Sequence, residues 1–295
     1  MTPLPLASRK ILLTGITSIH GWPIYTALRT IFSDNQLYCI RPPQVKTPRA
    51  DNIEAACMSD VAAFCRIKET FNPTHVLHMA GVCDLDMCED EPEKAHAINT
   101  IGAKNIVDVF SANAYLLFLS ADLVFSGSNP PRDGYAETDE PCPVSVVGKT
   151  FANAEKHVLR APRAAIVRLG LPMGNSVQGE KGAIDFIEGR FKRGLPMTLF
   201  YDELRSCIDC AELASIICEM FIRETTGVYH CGGPRPVSLY EIGEWILKRG
   251  GYDATLLKRM SRLEEKNGPP RMGNVHLNSK KLERLLGRNI SVWPG

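Results

Sequence analysis

Thr14-Gly15-Ile16-Thr17-Ser18-Ile19-His20-Gly21 is the stretch of this chain best suited to hold a ligand. It has the spacing of a T-G-x-x-G-x-x-G turn, set between the apolar run Ile11-Leu12-Leu13 and an apolar-periodic segment. In such a turn the first glycine makes the tight bend and the second lets the backbone approach a pyrophosphate. The third lets helix and strand pack closely. The helix start adds free N–H groups and a partial positive charge that favour phosphate. Ser18 stands at the middle glycine. Its hydroxyl is able to donate to phosphate, while its Cβ narrows the approach. His20 reads equally as a phosphate contact or a helix cap, and the bland alternative for the whole stretch is a plain strand–turn–helix. The second strand ends Cys39-Ile40-Arg41, with no acid to take a ribose hydroxyl. Arg41, with Lys46 or Arg49, suits a 2′-phosphate and favours NADP over NAD, against a solvated surface charge.

Other reactive residues make weaker patterns. Cys207-Ile208-Asp209-Cys210 has redox or metal spacing but no second CxxC and no nearby His pair. Asp84, Asp86, Cys88, Glu89, Asp90 and Glu91 cluster at a helix start, where the dipole alone explains acids. His75 and His78, three apart on a strand, face opposite sides and do not readily share one ion. No metal site is expected.

Composition narrows the class. The chain has 295 residues, 44% hydrophobic and 23% charged, with a formal net charge of +1. That suits one large α/β domain or two associated lobes, and gives no electrostatic case for nucleic acid or an acidic membrane. No apolar run approaches the roughly 20 residues of a membrane span. The first ten residues read as too short and Pro-broken for a signal peptide, so the expected compartment is cytoplasmic. The 10 cysteines are scattered, which suits reduced thiols.

These residues need elements to position them. Apolar runs predict strands at 11–13, 36–40, 75–79, 116–119 and 164–169. Periodicity predicts helices at 22–31, 60–71, 93–112 and 147–159. Alternation of this kind predicts an α/β fold, a doubly wound parallel Rossmann sheet with helices on both faces. After Gly170 the rhythm loosens, with helices expected at 183–194, 239–250 and 278–286. The expected division is a dinucleotide-binding domain over 1–168, with part of about 205–235 packing on it. A smaller substrate-binding lobe takes 169–204 and 236–295.

Several segments, in order, resemble the dTDP-4-dehydrorhamnose reductase family of extended short-chain dehydrogenases/reductases. They are the glycine turn, Val76-Leu77-His78-Met79-Ala80-Gly81-Val82, the stretch from Asp86 through Asn99 to Asn105, Leu119 to Phe125, and Tyr135 to Pro141. Asp202 to Ser206 and Gly273 to Leu282 are similar to its second-lobe segments, so the resemblance covers nearly the whole chain. It implies a cofactor held by Gly15, Thr17, Ser18, Ile19, His20, Gly21, Arg41 and Asp60. Ala80, Gly81 and Val82 would line the nicotinamide half, with Asn99 bracing them. A nucleotide sugar would lie between the lobes, against Ser120, Asp122 and Arg205, the last weighed against an ordinary salt-bridged arginine.

The family's catalytic groups are missing. Where it has a catalytic Thr, and a Tyr and Lys four apart, this chain has Ala121, Val147 and Phe151. Reducing a ketone by hydride transfer needs a proton for the forming alkoxide. The Tyr supplies it and the Lys lowers the Tyr pKa. Lys149 points to another helix face, and no Tyr occurs between Tyr135 and Tyr201. Ser120 survives as a residual hydroxyl.

Two functions from different classes follow. One is a non-reducing binding or regulatory member that keeps an NADP site, acting alone, as a homodimer or as a partner enzyme subunit. The family's example is the regulatory beta subunit of methionine adenosyltransferase, similar through the shared fold. The alternative is an active NADP-dependent oxidoreductase on a nucleotide-sugar carbonyl, with water, Ser120, Asp122 or the substrate managing the proton. A lyase or isomerase has no specific support.

Overall fold

The structure is a computed structural model describing residues 4–46, 50–176 and 182–294. Five parallel strands open the fold: β1 (Ile11–Thr14), β2 (Leu37–Arg41), β3 (Ile53–Ala55), β4 (His75–His78) and β5 (Tyr115–Ala121). Between and after them run α1 (Gly21–Leu28), α2 (Val61–Thr70), α3 (Leu85–Asp90), α4 (Pro92–His96), α5 (Gly102–Phe110) and α6 (Val146–Val158). A π-helical turn, Ala97–Ile101, joins α4 to α5, so the single helix expected over 93–112 is interrupted.

β6 (Ala164–Leu169) completes the expected set, and β7 (Leu171–Met173), α7 (Ala183–Lys192), β8 (Met197–Phe200) and β9 (Leu204–Asp209) follow. The chain ends with α8 (Cys210–Ile222), β10 (Gly227–Cys231), β11 (Pro236–Ser238), α9 (Leu239–Gly250), β12 (Leu257–Met260) and α10 (Lys280–Leu286). The main sheet has the order β10-β6-β5-β4-β1-β2-β3, every pair parallel. The expected Rossmann sheet is present, with the late strand β10 on one edge.

Both sheet faces are covered. Leu12, Val76, Leu116, Phe118 and Ile166 bury against α2, α5 and α6 on one side. Ile11, Leu13, Leu77, Leu117 and Val167 bury against α1, α8 and α10 on the other. A third core, with Met173, Ile187, Phe191, Leu199, Val237, Ile242 and Trp293, belongs to the second lobe. Its sheets are β11-β9-β7 and β12-β8. The expected lobe boundary at 236–295 needs a correction. Met272, Val275 and Leu277 bury in the first core, and Leu282 and Ile290 in the second, so the chain end returns to the Rossmann sheet. Among the described residues, no helix is long and apolar enough to cross a membrane.

The strand order reverses between β1 and β4. In open parallel sheets ligands bind in the crevice beyond the strand ends at such a switch point. The turn after β1 and the turn after β4 form its two walls.

Candidate functional site

Gly15 leaves β1 with φ +74°, and its N–H donates to the Ile40 carbonyl at 3.1 Å. A Cβ there would stand 2.5 Å from the Ala80 nitrogen, so only glycine lets the two walls meet. The turn closes on itself through Ser18. Its hydroxyl donates to the Gly15 carbonyl at 2.9 Å and accepts from the Gly21 N–H at 2.9 Å. The single hydroxyl proton is therefore used inside the turn, which corrects the expectation of a free phosphate donor. Gly21 is equally constrained, because a Cβ would lie 2.2 Å from the Gly15 carbonyl oxygen.

The unspent donors are backbone. Among the described residues, the N–H groups of Ile19 and His20 have no partner within the chain. They stand at the start of α1, where dipole and free donors favour an anion. His20 makes no side-chain cap. Its ring is buried, and burial lowers its pKa to about 4. Thr17 and Ile19 form the tip of the turn. Ile19 abuts the second lobe: a Cβ on Gly182 would lie 2.5 Å from its Cδ1.

Arg41 follows Ile40, whose carbonyl holds the turn, so it lies beside the anion end of the crevice. Its Nη1 donates to the Val45 carbonyl, and its Nε is buried with no partner. Arg49 lies outside the described residues. Asp60 caps α2, accepting from the Ala63 N–H at 3.2 Å, and no described contact brings it to the turn.

The second wall is pinned by polar side chains. Thr14 Oγ1 accepts from the Met79 and Ala80 N–H groups at 3.2 and 3.3 Å, and pairs with His78 Nδ1 at 2.7 Å. With two donors already on Oγ1, its proton goes to Nδ1 and the imidazole keeps its own on Nε2. Asn99 holds Val82 from both sides: Oδ1 accepts its N–H at 2.8 Å and Nδ2 donates to its carbonyl at 3.0 Å. Nδ2 also donates to Thr150 Oγ1 at 2.9 Å, and Thr100 Oγ1 donates to the Thr150 carbonyl at 2.9 Å. The wide π-turn turns both neighbours toward α6, a common use of such turns.

Behind this wall the catalytic positions are hydrocarbon. Val147 is 0% exposed, Phe151 3% and Ala121 9%. Phe151 stacks on Phe118, which stacks on His78, and a Cβ on Gly81 would lie 2.7 Å from Phe151 Cζ. The remaining polar groups are spent on one another. Ser120 donates to Glu155 Oε1 at 2.6 Å. Glu155 takes a two-pronged ion pair from Arg168, whose Nη1 donates to His230 Nε2 at 3.3 Å. His230 Nδ1 donates in turn to the Tyr135 carbonyl at 2.8 Å. The Ser120 hydroxyl proton, expected to be available to a substrate, is thus directed to Glu155.

Asp122 and Arg205, expected beside a nucleotide sugar, hold each other in an ion pair. Arg205 Nε donates to Asp122 Oδ2 at 2.7 Å and Nη2 to Oδ1, with Asp122 0% exposed. Beside them Arg271 Nη1 pairs with Glu203 Oε2 at 3.2 Å, and Arg262 Nη1 donates to the Arg271 carbonyl at 3.3 Å. Among the described residues, the Nε atoms of Arg262 and Arg271 are buried without partners. Sequence reasoning missed both. It also missed Glu155, although a charge in the row Val147, Phe151, Glu155 marks a buried ion pair on an apolar helix face.

Cys207 and Cys210 are buried, and burial pushes both thiols up to about 12, which leaves them unreactive. Among the described residues no group of three or more His, Cys, Asp or Glu is placed to hold a metal. Asp84 caps α3 and Glu89 accepts the Val146 N–H at 2.7 Å.

The family model of the RmlD substrate binding domain matches residues 9–294. The chain is 25% identical, over an alignment of 305 residues, to methionine adenosyltransferase 2 subunit beta of Xenopus laevis. That alignment covers 97% of this chain and 88% of the relative. The likeness to that subunit is therefore not confined to the shared fold, a correction to the expectation above. Among solved structures, a dTDP-4-dehydrorhamnose reductase from Bacillus anthracis in complex with NADP superposes with a TM-score of 0.82 at 20% identity, covering 97% and 95% of the two chains. The Bordetella bronchiseptica enzyme WbmG in complex with NAD and UDP superposes at 0.77 and 19% identity, covering 96% and 90%.

Proposed function

Because the chain belongs to the RmlD substrate binding domain family, a family of sugar-nucleotide-reductase-like proteins, we propose that it is a non-reducing member. On this reading it binds NADP(H) in the crevice between β1 and β4 and acts as a binding or regulatory subunit. The observation that carries it is the state of the proton-transfer positions. Ala121, Val147 and Phe151 are buried hydrocarbon, and Ser120, the one hydroxyl left, is bonded to Glu155. Hydride transfer needs a proton donor at the carbonyl oxygen, and general acid catalysis is worth about 10²–10⁴ in rate.

The residues present suit a dinucleotide. Gly15 and Gly21 make the close turn, the unpaired Ile19 and His20 N–H groups would take a pyrophosphate, and Arg41, next to the residue that holds the turn, would supply charge for a 2′-phosphate. Bound there, the cofactor would supply hydride-transfer chemistry that no side chain of this wall is placed to complete. The relative named as an adenosyltransferase subunit supports a role beside a partner enzyme. An active oxidoreductase is weighed down by its own candidates, since Ser120 and Asp122 are taken by Glu155 and Arg205.

Calorimetry with NADPH, run beside an NADPH-oxidation assay on a panel of keto-sugar nucleotides, tests the proposal. Binding without turnover is the expected result. Turnover that disappears in Ser120→Ala contradicts the non-reducing reading, and absence of any binding heat removes the cofactor.

A further inference from the structure

Helices α1 and α8 cover the sheet face opposite the one that buries Val147 and Phe151, and they leave a groove of about 830 Å³ between them. Trp22, Pro23, Ala27 and Ile31 line it from α1 and the residues just after it, and Ala211 and Ile222 from α8. Ile31 is 42% exposed. The apolar surface continues past Ile222. Arg9 donates to the carbonyls of Ile222 and Leu4, which sets Leu4 beside that end, and Leu4 and Leu6 are 40% and 41% exposed. Exposed apolar side chains scattered singly need no explanation, whereas a contiguous run of them marks an interaction site.

The groove also has a direction. At the Ile222 end the exposed Arg223 and Arg288 share the single carboxylate of Glu219. Next to them Lys280, Arg284 and Arg288 line a hollow of about 430 Å³ with one carboxylate, Glu283. At the opposite end the exposed Asp209 caps α8. From Ala211 to Arg223 the lining runs about 18 Å along α8 at 1.5 Å per residue, roughly three helical turns.

We infer that this face docks an amphipathic helix of a partner protein, apolar along one side and acidic in its first turn. A groove between two helices takes the apolar side of a third. Acids belong at a helix N-terminus, so the partner helix starts at Arg223 and Arg288 and runs antiparallel to α8. Its positive dipole end then meets the negative end of α8. Neither a cofactor nor a proton-transfer group takes part, so the surface stands whether or not the crevice binds NADP(H).

The test uses the full chain and two end-blocked, fluorophore-labelled peptides of about 15 residues, long enough to form a helix on the surface. Both carry leucines at i, i+3, i+4 and i+7 spacing. One has glutamates in its first turn and the other lysines. Fluorescence anisotropy reads binding. The acidic peptide is expected to bind, and the basic one at least about fivefold more weakly, the effect of about one exposed ion pair. Ile31→Asp should weaken the acidic peptide at least about tenfold, because a charge replaces an apolar contact. Its unfolding midpoint should stay with that of the unchanged protein, since the side chain is at the surface. Arg223→Glu should erase the preference for the acidic peptide, which a general loss of folding would not do. Equal affinity for the two peptides, or none for either, overturns the inference. So does a dimer in sedimentation equilibrium that Ile31→Asp dissociates, which gives the groove to a second copy. Binding to phosphatidylserine vesicles without binding to the acidic peptide gives it to a lipid surface and overturns the inference as well.

Discussion

Asp122 and Arg205 meet in the interior, one at the end of β5 and the other in β9, so a single ion pair ties the Rossmann sheet to the second lobe. Removing one member leaves the other charged and buried, which costs about 3–5 kcal/mol, whereas replacing both by apolar groups of similar volume is often near neutral. Asp122→Ala should therefore lower the unfolding free energy in urea by about that much. Asp122→Leu with Arg205→Met should recover most of it. A loss in the double variant equal to the sum of the two single losses would show that the pair is not coupled. Buried imidazoles give a second residue-scale expectation. Burial lowers the pKa of His78 to about 3, and burial with Arg168 nearby does the same for His230. Unfolded, each takes a proton near 6.5, so below that the unfolded state binds more protons and folding loses stability. Each ring should contribute a slope of about 1.4 kcal/mol per pH unit, beginning as pH falls through 6.5 and ending near 3. Thermal unfolding followed across that range checks it, and a flat stability profile between pH 6 and about 4 would contradict it. Neither pairing was legible in the sequence. Asp122 and Arg205 are separated by 83 positions, and a lone arginine carries no mark of its partner.

At the scale of elements, the turn between β1 and α1 depends on two glycines for different reasons. Gly15 needs its positive φ, and Gly21 needs the space that the Gly15 carbonyl occupies. Gly21→Ala drives a methyl into backbone that has nowhere to move, an overpacking cost of about 1–3 kcal/mol. It should also weaken NADP(H) binding by at least about tenfold, because the N–H groups of Ile19 and His20 are aimed by that turn. Unchanged NADPH affinity in this variant would mean that the turn is not the phosphate site. This turn was legible because glycine spacing and flanking apolar runs are local signals. So were the helices with a one-sided pattern, α2, α6 and α9. The helix α8 was not, because Cys210–Ile222 buries Leu213, Ala214, Ile216, Ile217, Met220 and Phe221 on several sides and shows no single stripe. The π-turn at Ala97–Ile101 was hidden as well, since its cause is the tertiary grip of Asn99 and Thr100 on Val82 and Thr150.

For the whole molecule, a doubly wound parallel sheet was implied by the strand–helix alternation of the first part of the chain, but its far edge was not. β10 joins β6 only after the chain has built much of the second lobe, and residues 272–290 return to the Rossmann cores. Long-range returns of this kind leave no periodic trace. The consequence for function is that the crevice is backed on one side by hydrocarbon and on the other by paired charges, with the Ile19 and His20 N–H groups unpaired at its phosphate end. On the proposed function, this scaffold holds a nicotinamide dinucleotide without passing its hydride on. The most direct measurement is isotope transfer: the protein at high concentration, NADPH deuterated at the transferable position, and dTDP-4-dehydrorhamnose, with the sugar nucleotide examined by mass spectrometry. Bound NADPH and no deuterium in the sugar beyond a protein-free control are the expected result. Deuterium in the sugar approaching one label per protein would contradict it.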